Sequence, residues 1–117
     1  MADVTNESWI KALALYDALR EPHWNHIRPF RDLVSEVGRS AEAAGLTAVT
    51  SHETLLVSPY TRYPDWFEGR HVRLHPLPNG QVQISRYSER FNSRPTESWT
   101  VSLVEARAKA LSLMAEL

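Results

Sequence analysis

The sequence contains no cysteine, which excludes thiolate catalysis, disulfide cross-links and Cys-ligated zinc or iron-sulfur sites. Only four of its 117 residues are glycine, and none sits in a Gly-rich phosphate loop or a nucleophile elbow. Lysine is nearly missing too: of 13 basic residues only Lys11 and Lys109 are Lys, and the rest are Arg. Against 14 acidic residues the formal net charge is -1, which argues against a polybasic chain that coats nucleic acid or a lipid surface. No apolar run approaches the roughly 20 residues needed to cross a bilayer. The start Met1-Ala2-Asp3-Val4-Thr5 also lacks the basic and apolar regions of an export signal. A cytoplasmic protein without membrane contact is the expectation.

What is present suits a folded domain. Apolar residues make up 43% of the chain, and a chain of this size buries about two-thirds of its unfolded surface, enough for a core without metal or disulfide staples. Neither an internal repeat nor a low-complexity linker divides it, so residues 1–117 are read as one domain.

Apolar spacing predicts two helices first. One covers Glu7 to Leu19, with Trp9, Leu13 and Tyr16 on one stripe, Thr5 or Asn6 as cap, and Pro22 discouraging helix beyond. The second runs from about His26 to Ala44, carrying Ile27, Phe30, Leu33, Val34, Val37 and Ala41. Asn25 would cap it, Pro29 falls in its first turn, where no intrahelical bond is lost, and Gly45 would end it in the left-handed conformation. Their short connection predicts an antiparallel hairpin.

From Glu53 the period changes to two. Thr54 to Ser58 reads as a strand that Pro59 suits to an edge. Residues His71 to Leu77 and Gln81 to Ser88 flank Pro78-Asn79-Gly80. A two-residue turn at Asn79-Gly80 would pair Leu74 with Ser85 and mix apolar with polar side chains on both faces. A three-residue loop with Gly80 left-handed pairs Leu74 with Ile84 and Pro76 with Val82, and so separates the two kinds. Arg86, opposite Val72, is then its one awkward member. A last strand, Glu97 to Ser102, turns Trp99 and Val101 inward and Ser98 and Thr100 outward. Ser102-Leu103-Val104-Glu105 then forms a capping box that opens a final helix. That helix is expected to bury Leu103, Ala110, Met114 and Leu117, with Val104, Ala108 and Leu111 beside them. The resulting fold class is α+β: a two-layer domain in the order ααββββα, with a four-stranded antiparallel sheet and helices on one face.

The preferred register gathers His71, Arg73 and His75 with Gln83, Ser85 and Tyr87 on the open face of the sheet. Between Tyr60 and Pro95 there are six Arg and three acids, a local +3 against -4 for the remainder. A donor-rich face of this kind suits an acidic protein partner, a phosphate backbone or an anionic ligand. The plainer alternative is that an antiparallel sheet keeps one face in water, and a wet face is polar. A second feature is Tyr60, Arg62, Tyr63 and Trp66, with Phe67, between two strands. Rings beside an arginine can form a recognition surface, or fold back as a lid on the core. Trp9, Trp24 and Trp99 are assigned to the core or to helix packing.

Catalytic signals are sparse. Glu53 or Glu68 with His52 or His71 could supply acid-base chemistry, although adjacent His52 and Glu53 would point to opposite sides of a strand. The pairs His23/His26 and His71/His75 lack a carboxylate at a recurring metal-ligand spacing, so neither a metal nor another cofactor is expected.

The segment Trp99 to Ala106, a strand followed by a cap and a helix, resembles the topology of small single-stranded-DNA-binding coactivator domains. Those are rich in lysine, which this chain is not. The helical hairpin ahead of a sheet is similar in outline to small bacterial immunity and adaptor proteins. These readings converge on a non-catalytic module that binds a protein partner, or a second copy of itself, through the open face. The alternatives are nucleic-acid binding by the same residues and a small enzyme acting on an anionic metabolite.

Overall fold

Asn6 opens the first helix: its side-chain oxygen accepts the N–H of Ser8, and α1 follows over Glu7–Ala18. This is seen in a computed structural model that describes residues 6–19, 26–88 and 94–117. Thr5, Pro22, His23, Trp24 and Asn25, to which the sequence assigned capping, helix-ending, pairing or core roles, lie outside those residues. Trp9, Ala12, Leu13 and Tyr16 form the buried stripe of α1. Helix α2 spans Ile27–Gly38 and buries Ile27, Phe30, Leu33, Val34 and Val37. The two helices run antiparallel. Tyr16 meets Phe30 edge-to-face at 5.4 Å, Asp17 accepts from Arg31 at 2.8 Å, and at the other end Trp9 lies against Gly38.

Gly38 also corrects the expected length of α2. The helix stops there instead of at Ala44, and Ser40 begins a separate 3-10 turn, Ala41–Ala43, by accepting the Ala43 N–H. A Ser that bonds the amide three residues ahead offers the chain a new start in place of continued helix. Gly45, at φ +78°, therefore leads from this turn into a strand and does not end α2.

The sheet has five strands, not the four expected. They are β1 (Thr47–Ser51), β2 (Thr54–Ser58), β3 (His71–Pro76), β4 (Val82–Tyr87) and β5 (Glu97–Val101), antiparallel throughout and adjacent in chain order. A short helix, α3 (Asp65–Glu68), lies between β2 and β3, and α4 (Leu103–Met114) ends the fold, so the element order is ααββαβββα. The missed strand is β1, in which Ala48 alone is buried; without large alternating residues it carries a weak strand signal. Its presence makes β2 an interior strand, correcting the edge assignment. Pro59 is harmless because the last pair, Thr47 with Ser58, ends one residue before it.

The β3–β4 hairpin has the three-residue loop that apolar pairing demanded. Leu74 opposes Ile84, Pro76 opposes Val82, and Gly80 is left-handed at φ +85°. Val72, Leu74, Val82 and Ile84 join Leu55 and Val57 in a core shared with α1, α2 and α4. Arg86, opposite Val72, resolves its awkward position by pairing with Glu97 of β5 and, at 2.7 Å, with Glu116 beyond α4.

The Ser102 hydroxyl accepts the Glu105 N–H at 3.2 Å and donates to the Glu105 carboxylate at 3.0 Å, so the glutamate closes the box on the hydroxyl and not on the main chain. The buried stripe of α4 is Ala106, Ala110, Leu113 and Met114, with Leu103, Leu111 and Leu117 partly covered. Val104, 90% exposed, and Ala108 face outward, contrary to expectation. At 100° per residue, a helix that buries 106, 110 and 113 carries 108 to the opposite side. Lys109 reaches the edge of the sheet, 3.7 Å above the Trp99 ring. Among the described residues no helix is long and apolar enough to cross a membrane.

Candidate interaction face

Alternation along the strands decides which side chains share the face away from the core. The pairing puts Leu56 beside Arg73, Arg73 beside Ser85, and Ser85 beside Ser98. His71, Arg73, His75, Gln83, Ser85 and Tyr87 therefore stand together on one side, as the register argument required. Thr54, Leu56 and Ser58 of β2 join them, although the sequence reading, which takes this strand as an edge, assigns them no place on the face.

The face is half closed. Leu56, Ser58 and His71 are fully or nearly fully buried, whereas Gln83, Ser98 and Thr100 are exposed. Three of its side chains form a connected cluster. The His71 imidazole stacks on the Tyr87 ring at 4.5 Å, with 7° between the planes. Arg73 places its guanidinium over the same Tyr87 ring at 4.3 Å. Its Nε–H donates to His71 Nε2 at 3.0 Å, and His71 Nδ1 lies 2.9 Å from the Gly69 carbonyl. These contacts fix the tautomer: Nδ1 carries the proton and donates to Gly69, leaving Nε2 to accept from Arg73. Burial holds the His71 pKa below its ordinary value; the bond to Gly69 opposes this and the neighbouring Arg73 charge adds to it.

Arg73 thus uses one donor internally. Among the described residues its guanidinium meets no carboxylate, unlike Arg31, Arg86 and Arg107, which all form ion pairs. His75 is engaged with Thr54, Nδ1 to Oγ1 at 2.8 Å, and Ser85 with Ser98, hydroxyl to hydroxyl at 2.9 Å.

The aromatic segment adjoins this face: α3 contacts β2, and the Tyr60 N–H donates to Ser58 Oγ at 3.1 Å. Tyr63, Trp66 and Phe67, around α3, contact one another at ring distances of 5.3–5.7 Å. Tyr63 is 74% exposed and Arg62 is exposed beside it. Tyr60 also reaches Arg70. Its hydroxyl accepts from Arg70 at 2.8 Å, and Arg70 also donates to the Leu117 carbonyl at 3.0 Å. Gly69 makes room for Tyr60, since a Cβ there would overlap its ring. The role of Arg70 had no sequence signal, because its partner lies 47 residues away.

Charge on the face is thinner than the count along the chain implied. Arg86 belongs to the core side and Arg70 to the Tyr60 contact, so Arg73 is the arginine that β3 and β4 contribute to the face. His52 and Glu53 form the β1–β2 turn, with His52 at φ +55° and the Glu53 carbonyl taken by the Tyr16 hydroxyl. Among the described residues no three His, Asp or Glu side chains gather as a metal site. Set against protein-family models, curated proteins and solved structures, the chain matches none.

Proposed function

We propose that this protein is a non-catalytic binding module that engages an acidic segment of a protein partner through the open sheet face, with Arg73 at the centre. The observation that carries this reading is the state of Arg73. Its guanidinium is held flat by Tyr87 and His71, and no carboxylate among the described residues neutralises it. A pre-oriented fork of N–H donors matches a carboxylate, and holding it in place beforehand lowers the entropy lost on binding. Exposed Gln83, Ser98 and Thr100 supply further polar contacts on the same surface.

A polyanion needs several cations in a row, and the face offers one from β3 and β4, so protein is favoured over nucleic acid. The test is binding of wild-type and R73E protein to an array of acidic and neutral peptides, beside single- and double-stranded oligonucleotides, across a salt series. Acidic peptides should bind wild type and lose at least tenfold in affinity with R73E. Equal binding by R73E removes the face from consideration. Oligonucleotide affinity falling steeply with salt would replace the proposal by the nucleic-acid reading.

A further inference from the structure

The two edges of the sheet differ in their main-chain groups. The Leu77 N–H donates to the Gln81 carbonyl at 2.9 Å, so odd residues of β3 face odd residues of β4, and even residues of β4 bond toward β5. The Thr96 N–H reaching the Arg86 carbonyl at 2.7 Å gives the same phase independently. It follows that Glu97, Trp99 and Val101 bond to β4, while the N–H and C=O groups of Ser98 and Thr100 point out of the sheet. The same alternation carried to the other edge turns Ala48 outward. There α1 covers the strand: Ser8 Oγ accepts the Ala48 N–H at 3.0 Å, and the Leu46 carbonyl accepts from Asn6 and from the Trp9 indole. At Leu46 and Ala48 this edge is occupied by side chains of its own helix. Among the described residues the other has no such cover.

We infer that β5 pairs with β5 of a second copy, antiparallel about a two-fold axis at Trp99, to form a ten-stranded sheet. The outward phase allows this register: Ser98 of one copy meets Thr100 of the other as a hydrogen-bonded pair, twice over. Their hydroxyls fall on one face, where Ser and Thr pair well across strands. Residues 98–101 are uncharged and Glu97 is held by Arg86, so Lys109, which lies over the Trp99 ring, is the charge nearest the axis and must turn toward solvent in the pair. An isologous contact of this kind closes at two copies. The open faces would lie on the same side, with the two Arg73 positions about 24 Å apart by strand spacing. The inference does not depend on what Arg73 binds.

Light scattering after size exclusion should give twice 13.4 kDa for wild type and for R73E. Thr100→Pro removes an outward donor without touching the β4 ladder, so it should return the mass to 13.4 kDa with an unchanged circular dichroism spectrum. The chain has no cysteine, so a second test is clean even if that variant misfolds. Mixed S98C and T100C proteins should cross-link on oxidation far more than either alone. A monomer at concentrations up to about 1 mM, where even a weak specific pairing is populated, overturns the inference. So does a folded T100P dimer, or cross-linking of the mixture no greater than that of the single variants.

Discussion

The imidazole of His71 and the phenol ring of Tyr87 lie parallel, 4.5 Å apart, across the β3–β4 hairpin. They are direct partners in the ladder, so the stack reports the register itself. A slip of one residue would carry one ring to the core side and break it.

Tyr87→Leu should preserve apolar bulk while removing both the stack and the seat of Arg73. The loss should be about 1–2 kcal/mol, from an aromatic pair and a partly exposed cation-π contact. Urea unfolding measures it. A double-mutant cycle with Arg73→Ala should show coupling between the two sites, because part of what Tyr87 provides is realised only with the guanidinium in place.

Lowering the pH should weaken the fold through His71. Its pKa in the folded protein lies below the ordinary 6.5, so just under 6.5 the unfolded chain binds the proton more readily. Stability is therefore fully present above 6.5 and falls as the pH drops from there toward the folded value. Protonated Nε2 would also face the Arg73 N–H as a second donor. The pH dependence of unfolding free energy in this window should be shallower in His71→Gln than in wild type, and proton NMR should place the His71 midpoint below 6.5.

Gly38→Ala should destabilise, although alanine is the better helix former. A Cβ at this position would lie 2.8 Å from Cε3 of Trp9, which is fully buried and donates its indole N–H to Leu46. Overpacking of this kind costs about 1–3 kcal/mol, more than the ~1 kcal/mol gained in helix propensity. Thermal unfolding checks the sign.

Legibility in the sequence followed the strength of local patterns. The β3–β4 register could be argued because Leu74, Pro76, Val82 and Ile84 permit one pairing that keeps apolar groups together; Ser102 marked the start of α4, and the choice of Thr5 or Asn6 marked that of α1, where Asn6 is the cap. Strand β1 was illegible because what holds it is tertiary: Ser8, Trp9 and Asn6 bond to main-chain groups near Ala48, and its own side chains say little. The rotation of α4 was also hidden, since Leu103, Val104, Ala108 and Leu111 widen its apolar arc well beyond the stripe that is buried. For the face, parity placed six of the residues correctly. The His71–Arg73–Tyr87 contacts depend on side-chain rotamers, and the bond of Tyr60 to Arg70 on a distant carbonyl, neither of which spacing encodes.

The fastening of α1 along Leu46 and Ala48 has a consequence for growth beyond a pair. Two copies joined at Ser98 and Thr100 as proposed would present to a third only the margins that α1 fastens at Leu46 and Ala48. Deleting Asn6 and Ser8 side chains, or prying α1 loose, would strip the opposite margin as well, and copies could then stack without limit into fibres. On the proposed pairing the first helix would limit growth of the sheet as well as fill part of the core.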